Sequence, residues 1–220
     1  MDRNQIIIHQ VKQQGVLPLF YHPDTQVCLD TVAALYAAGI RVIEFTNRGT
    51  EAFANFKALH AARLESMPDL LIAVGTIRTP EQATRFIKAD ADFLISPVFD
   101  ADVADEAYLA KKLWIPGCMT STEIHVAENA GCKLVKLFPG NVLGPSFVSG
   151  IRELFPGMDF MPTGGVEVNK ENIGEWFKAG VCAVGLGSKL ISKTVLENKD
   201  YSTITRLAKE ALSIVQAIKK

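Results

Sequence analysis

Two charged residues interrupt short apolar runs that otherwise have the composition of buried strands. Lys136 lies in the middle of KLVKLFPG, residues 133–140, which ends at a turn. Glu44 lies in the middle of RVIEFTN, residues 41–47. Burying a charged group costs free energy unless a partner offsets it. These two residues therefore call for either mutual pairing or a chemical role.

Strand periodicity gives the two side chains a common direction. Successive strand residues point to opposite faces, so Lys136 shares a face with Phe138 and Glu44 shares a face with Thr46. The opposite face of each run is wholly apolar and suits packing against helices. If those faces meet helices, we expect Lys136 and Glu44 both to point to the opposite side, into a barrel formed by the strands.

A buried lysine beside a carboxylate can perform carbonyl chemistry. Burial disfavours the charged form of an amine, and a neutral amine attacks ketones to form a Schiff base. A neighbouring glutamate can then move protons during that reaction. Arg48, just beyond the Glu44 strand, offers a planar fork suited to a carboxylate. Together these groups indicate a 2-keto acid as substrate, whereas an ion pair that only fills space is the alternative.

The rest of the chain alternates apolar runs with helical segments. This alternation predicts βαβ units with a parallel sheet, and eight such units predict a single (β/α)8 TIM barrel. A doubly wound open sheet is the alternative. The strand candidates are residues 15–20, 41–47, 70–77, 92–99, 113–119, 134–140, 159–165 and 182–188.

A barrel also predicts where the active site lies. An extra N-terminal helix over about residues 2–14 would cover the bottom of the barrel, and no linker divides residues 1–220, so we expect one domain. Active sites of such barrels lie at the C-terminal ends of the strands. Thr76 ends the third predicted strand and Pro97 ends the fourth, so both are expected near the site.

Two glycine-rich segments follow the last two predicted strands. They are PTGGV, residues 162–166, and GLGS, residues 185–188. In barrels the loops at these positions often bind phosphate, because glycines let backbone N–H groups approach an anion and a helix N-terminus contributes. Ser188 would add a hydroxyl. A tight turn between strand and helix is the alternative for each segment taken alone.

Composition and sequence patterns argue against several kinds of binding partner. The 220 residues are 48% hydrophobic with a formal net charge of -1, and no Lys/Arg run suggests a nucleic-acid partner. No apolar run is long enough to span a membrane and the N-terminus does not have the pattern of a secretory signal, so we expect a cytoplasmic protein. The four cysteines and four histidines are scattered, which favours neither a metal nor a disulfide framework.

The sequence resembles the class I aldolases that cleave 2-keto-3-deoxy-6-phosphogluconate (KDPG) and 4-hydroxy-2-oxoglutarate (KHG). The resemblance runs from about residue 15 to 190 in the order of the family's motifs. The stretches that carry it are VIEFTNRG (42–49), VGTI (74–77), ISPVFD (95–100), WIPGCMTSTE (114–123), VKLFPG (135–140), PTGGV (162–166) and VGLGSKL (184–190).

The resemblance implies a (β/α)8 barrel, a homotrimer, no metal and no cofactor. It makes Lys136 the Schiff-base lysine and Glu44 the general acid/base. Arg48 and Thr76 would bind the pyruvyl carboxylate, and Pro97 and Phe138 would pack against the pyruvyl group. The residues expected at the aldehyde half or its phosphate are Thr163, Gly164, Gly165, Gly187 and Ser188.

Two departures from the family pattern concern the rim of the site. Val98 follows the fourth-strand proline where the family often has glycine, and Lys189 follows Ser188 where some members have tryptophan. They leave the aldehyde preference open, including KDPG against its galactonate counterpart. Two other functions also stay open. One is a phosphate-binding isomerase or synthase without Schiff-base chemistry, and the other is a sugar-acid-binding barrel without catalysis.

Overall fold

The computed structural model describes residues 2–220, which form ten α-helices, one short 3-10 helix and nine strand segments. The helices are α1 Arg3–Gln14, α2 Thr25–Ala37, α3 Ala52–Ser66, α4 Pro80–Lys88, α5 Ala101–Leu109, α6 Ser121–Asn129, α7 Gly140–Ile151, α8 Lys170–Ala179, α9 Lys193–Glu197 and α10 Tyr201–Ile218, and the 3-10 helix is Arg152–Leu154. The strands are β1 Val16–Phe20, β2 Val42–Thr46, β3 Leu71–Gly75, β4 Phe93–Ile95, β5 Leu113–Ile115, β6 Gly117–Cys118, β7 Leu134–Leu137, β8 Asp159–Pro162 and β9 Val184–Leu186.

Local sequence explains where several helices begin. The side chains of Asp24, Thr79 and Asp200 each accept a hydrogen bond from a backbone N–H in the first turn of α2, α4 and α10, respectively. Thr120 and Glu123 form a reciprocal capping box at the start of α6. The predicted N-terminal helix is confirmed as α1, with Asp2 as its cap.

Every strand pairing is parallel, as the βαβ pattern predicts. One sheet has the order β5-β4-β3-β2-β1-β9 and a second has the order β6-β7-β8. A parallel bridge between Thr163, just after β8, and Gly185 of β9 links the edges of the two sheets, so the strands follow a curled surface. The chain is therefore an α/β fold with a curled parallel sheet, in which hydrogen bonding does not run through one continuous eight-stranded ladder.

The predicted strand at residues 113–119 is divided, so the described residues contain nine strand segments where eight strands were predicted. Pro116 separates β5 from β6, and proline has no N–H with which to continue the ladder to β4. Its carbonyl instead accepts a hydrogen bond from the backbone N–H of Lys136, 2.8 Å away. The chain thus leaves the large sheet at this proline and joins β7.

The strands bury side chains on both faces, in two separate clusters. The larger cluster lies between strands and surrounding helices. The smaller one gathers inward-facing residues of the strands, and Ile7 and Val11 of α1 complete it. Val42 and Leu134, which precede Glu44 and Lys136 by two positions, both belong to this inner cluster. Strand periodicity therefore directs the glutamate and the lysine inward as well.

Candidate active site

Lys136 and Glu44 meet inside the curled sheet. The Lys136 Nζ lies 3.3 Å from Oε1 and 3.5 Å from Oε2 of Glu44. Lys136 is 4% exposed and Glu44 is fully buried. Their strands, β2 and β7, belong to different sheets, so this contact exists because the larger sheet curls toward the smaller one. Burial of two charges is tolerated here because each neutralises the other.

The lysine also lies against an aromatic ring. Its Nζ is 5.4 Å from the centroid of the Phe138 ring, within the range of a cation–π contact. Phe138 in turn lines a cavity of about 560 Å³. The ring thus connects the buried pair to a space large enough for a small substrate.

Gly75 is a site residue that the motif-based reasoning missed. In the register of β2 and β3, Gly75 lies opposite Thr46, next to the Glu44 side chain. A Cβ atom added at Gly75 would overlap the Glu44 carboxylate. Glycine weakens a strand interior and often marks close approach of another group, so its presence at the end of β3 was the available signal.

Replacing Gly75 with alanine is expected to reduce kcat by about ten- to a hundredfold, because the methyl group would displace the Glu44 carboxylate from Lys136. Steady-state cleavage rates combined with circular dichroism test this. The matched control is Gly174→Ala in α8, where an added Cβ meets no atom within 4 Å. Equal kcat values for the two folded variants would contradict the positioning role of Gly75.

The cavity brings together seven of the eleven residues predicted for the site. Its walls come from the loops after β1, β2, β7, β8 and β9, as expected for the C-terminal ends of parallel strands. The seven predicted residues that line it are Arg48, Phe138, Thr163, Gly164, Gly165, Gly187 and Ser188.

Arg48 projects from the loop after β2. Its backbone N–H donates to the Thr46 carbonyl at 2.9 Å, and within residues 2–220 its guanidinium forms no ion pair. The next residue, Gly49, packs so closely against the Tyr21 hydroxyl that a Cβ there would overlap it. Tyr21 lines the cavity too, so its ring supports the loop that holds Arg48.

Thr76 and Pro97 are not among the residues that line the cavity. Thr76 follows Gly75 and has a left-handed backbone with φ 62°, which is unfavourable for a β-branched residue. Pro97 approaches Gly117, where an added Cβ would overlap the proline's backbone, and Gly117 is the register partner of Lys136. Thr76 thus lies next to the residue that packs against Glu44, and Pro97 lies next to the register partner of Lys136.

The two glycine-rich segments meet beside the cavity. Thr163 forms a parallel bridge with Gly185, and its buried hydroxyl has no hydrogen-bond partner within residues 2–220. Gly164 and Gly165 have φ values of 96° and 75°, which glycine adopts without strain. Neither segment runs directly into a helix, because α8 begins at Lys170 and α9 begins at Lys193.

Two of the cysteines are buried thiols. Cys28 and Cys118 are buried, and burial raises the pKa of each thiol to about 12, so both stay protonated near neutral pH.

Across residues 2–220, no group of three His, Cys, Asp or Glu side chains is placed to hold a metal ion. Nor does any helix in that range combine the length and apolar character required to cross a membrane.

The chain is similar to known aldolases over most of its length. The family model "Aldolase: KDPG and KHG aldolase" matches residues 7–207. A 2-dehydro-3-deoxy-phosphogluconate aldolase of Treponema pallidum is 31% identical, with 95% of this chain and 97% of that protein aligned. The KHG/KDPG aldolase of Escherichia coli K12 is 30% identical, with 90% of each aligned.

A solved structure agrees with the sequence relationship. The KDPG aldolase of Legionella pneumophila, with pyruvate captured as a covalent carbinolamine intermediate, superimposes with a TM-score of 0.84. It is 28% identical, and the superposition covers 93% of this chain and 97% of that one. The chain therefore belongs to the KDPG and KHG aldolase family and is a class I aldehyde-lyase.

Proposed function

We propose that Lys136 is the Schiff-base nucleophile and Glu44 the general acid/base of an aldolase that reversibly cleaves a 4-hydroxy-2-keto acid to pyruvate and an aldehyde. The observation that carries this proposal is the buried contact between the two side chains, 3.3 Å from Nζ to Oε1, beside a substrate-sized cavity. The covalent pyruvate adduct of the Legionella relative supports the same class of chemistry.

The first half of the reaction joins substrate and enzyme. Lys136 first passes a proton to Glu44, and the neutral amine then attacks the C2 ketone. As the C–N bond forms and the C=O π bond breaks, a proton moves from the nitrogen to the C2 oxygen to give a carbinolamine. Glu44, in its protonated form, donates a proton to the C2 hydroxyl, which leaves as water. The product is an iminium ion, in which the positively charged nitrogen can accept an electron pair.

The second half breaks the carbon–carbon bond. Base removal of the C4 hydroxyl proton releases the aldehyde, and the electron pair of the C3–C4 bond moves to the iminium nitrogen to give an enamine. Protonation at C3 and addition of water to the resulting imine release pyruvate and free Lys136. Glu44 is the carboxylate within reach of the nitrogen and is assigned these proton transfers.

The remaining site residues are assigned to the two ends of the substrate. The Arg48 guanidinium is free to donate two hydrogen bonds to the substrate carboxylate, and Thr76 would be a second donor. Phe138 and Pro97 would pack on the pyruvyl group. The aldehyde half would lie along Thr163, Gly164, Gly165, Gly187 and Ser188, all of which line the cavity.

KDPG is the proposed substrate, giving pyruvate and glyceraldehyde 3-phosphate, with KHG cleavage to pyruvate and glyoxylate as a second activity. The names of the Treponema pallidum and Escherichia coli relatives support both. The galactonate counterpart is the alternative, since an E. coli 2-dehydro-3-deoxy-6-phosphogalactonate aldolase is 28% identical over 68% of this chain. Purified protein should release pyruvate fastest from KDPG in a coupled lactate dehydrogenase assay. Release of no pyruvate from any of the three substrates would contradict the proposal.

Chelation is expected to leave the cleavage rate unchanged. The iminium nitrogen accepts the electron pair of the breaking bond, so this mechanism requires no metal Lewis acid. Activity should be measured after dialysis against EDTA and again after addition of Mg²⁺, Mn²⁺ or Zn²⁺. A loss of activity that divalent metal restores would contradict the Schiff-base mechanism.

The wider architecture completes the proposal. We propose that residues 1–220 form a single (β/α)8 barrel, supported by the Thr163–Gly185 bridge between β8 and β9 and by the direct passage from β5 to β6 through Pro116.

The protein is proposed to be cytoplasmic, which agrees with its four free cysteines. It is also proposed to form homotrimers, for which Val98, Met119 and Val142 offer exposed apolar side chains. Light scattering after size exclusion tests the trimer.

A further inference from the structure

A lysine at the rim of the cavity has its charge partner outside the cavity. We propose that Lys189 determines substrate specificity by binding a terminal phosphate dianion, and that Glu167 holds its ammonium group when no phosphate is bound. This inference rests on the proposed function, because it concerns the aldehyde half of the same substrate. It assigns a role to a residue at which this chain departs from the family pattern.

Lys189 lies in a turn whose backbone is held beside the cavity. It directly follows Ser188 in the turn after β9, where the N–H groups of Leu190 and Ile191 both donate to the Gly187 carbonyl at 2.9 and 2.8 Å. This fixes the backbone of the turn. Lys189 is one of the residues that line the cavity, together with Arg48 and Phe138. With Arg48 assigned to the carboxylate, Lys189 lies among the residues of the aldehyde half.

At the end of the cavity assigned to the aldehyde half, the backbone offers hydrogen-bond donors but little positive charge. Within residues 2–220, the N–H groups of Gly164, Gly165 and Ser188 donate to no acceptor of the protein. These groups can contact phosphate oxygens. However, α8 and α9 begin only at Lys170 and Lys193, so no helix starts at either glycine-rich segment. A dianion therefore depends on side chains for compensating charge.

Lys193 is the other lysine that lines the cavity. Lys193 lies 3.5 Å from Glu197, one helical turn away, and both line the cavity. Lys189 differs, because its partner Glu167 is not among the lining residues. When Lys189 leaves Glu167, its ammonium group can therefore bring positive charge to the cavity without bringing the carboxylate with it.

Glu167 is anchored, whereas Lys189 can move. Glu167 accepts a hydrogen bond from Asn169 Nδ2 at 3.2 Å, and its backbone N–H donates to Asn172 Oδ1 at 3.0 Å. Lys189 Nζ lies 2.9 Å from Glu167 Oε1, and the two side chains are 54% and 46% exposed. The hydrogen bond from Lys189 is the largest cause of the lowered pKa of Glu167. Exposed ion pairs contribute little free energy. The flexible Lys189 side chain can therefore leave Glu167 and bind a phosphate at a small cost in free energy.

Paired substrates test this proposal. kcat/KM is measured for KDPG and for its unphosphorylated analogue. Lys189→Met should lower the value for KDPG by about ten- to a hundredfold, the range of a hydrogen bond to a charged group, and leave the value for the analogue unchanged. Glu167→Gln should keep the KDPG value or raise it by up to about fivefold, because it releases the lysine. Lys170→Met, an exposed lysine outside the cavity, is the control for net charge and should change neither value.

Three results would overturn the inference. They are an equal effect of Lys189→Met on both substrates, no effect on either, and a loss with Glu167→Gln as large as with Lys189→Met. Trapping of pyruvate on Lys136 by borohydride separates these failures from failure of the proposed function. Pyruvate carries no phosphate, so Lys189→Met should trap it like the parent protein. Trapping without a shift in substrate preference rejects only the role of Lys189.

Discussion

Replacing Lys136 with alanine is expected to reduce aldol cleavage to background, a loss of about five to six orders of magnitude if the residue is the nucleophile. No other lysine lines the interior beside Glu44, since the buried charged residues of the described chain are Glu44, Arg63, Asp92 and Lys136. Cleavage is measured by pyruvate release under single-turnover and steady-state conditions. Substantial residual activity in the folded variant would contradict the assignment.

Stability has to be separated from activity in this variant. Removing the lysine leaves the Glu44 carboxylate buried without its partner, which costs about 3–5 kcal/mol when a buried pair is broken. The double variant Lys136→Met with Glu44→Gln removes both charges and should recover most of that loss. We expect it to be as inactive as Lys136→Ala while unfolding at a higher denaturant concentration. Inactivity in a stable double variant excludes unfolding as the explanation.

Replacing Glu44 with glutamine is expected to lower kcat by about 10²- to 10⁴-fold, the range of general acid–base catalysis. The amide has nearly the same shape as the carboxylate but carries no proton for transfer to the departing water. The affinity for pyruvate should change far less, because the proposed mechanism assigns binding of the ligand to Arg48 and apolar groups rather than to Glu44. Rates of imine formation and of cleavage are measured separately by single-turnover kinetics.

A conservative comparison makes the Glu44 result decisive. Glu44→Asp keeps the acid but shortens the side chain, so it should retain more of the cleavage rate than Glu44→Gln despite a poorer reach to Lys136. If Glu44→Gln weakens only the binding of pyruvate and leaves kcat intact, Glu44 is a structural partner of the lysine. The proton transfers would then have to be assigned to another group.

The central pair could be predicted from sequence because strand periodicity is a local property. Lys136 and Glu44 each interrupt an apolar run with a period of two, and this fixes their inward direction without knowledge of the partner strand. Gly75 was not predictable in the same way. Its importance comes from the register of β2 against β3, which places its missing side chain at the Glu44 carboxylate.

Two other features depend on geometry that the sequence pattern does not contain. Pro116 looked like part of one strand, yet its missing N–H ends the pairing with β4 and starts a second sheet. In the sequence, Lys189 was only a departure from the family pattern at the rim of the site. Only the arrangement of the loops after β8 and β9 brings Glu167 within 2.9 Å of Lys189, which itself lines the cavity.

The most direct test of the account is intact-mass spectrometry after incubation with pyruvate and borohydride, followed by peptide mapping. Borohydride reduces an imine to a stable secondary amine, so a Schiff base is recorded as a permanent mass increase on one lysine. The account predicts a single reduced pyruvyl adduct, located on Lys136 and absent from Lys136→Ala. An unmodified, correctly folded protein, or an adduct on a different lysine, would contradict it.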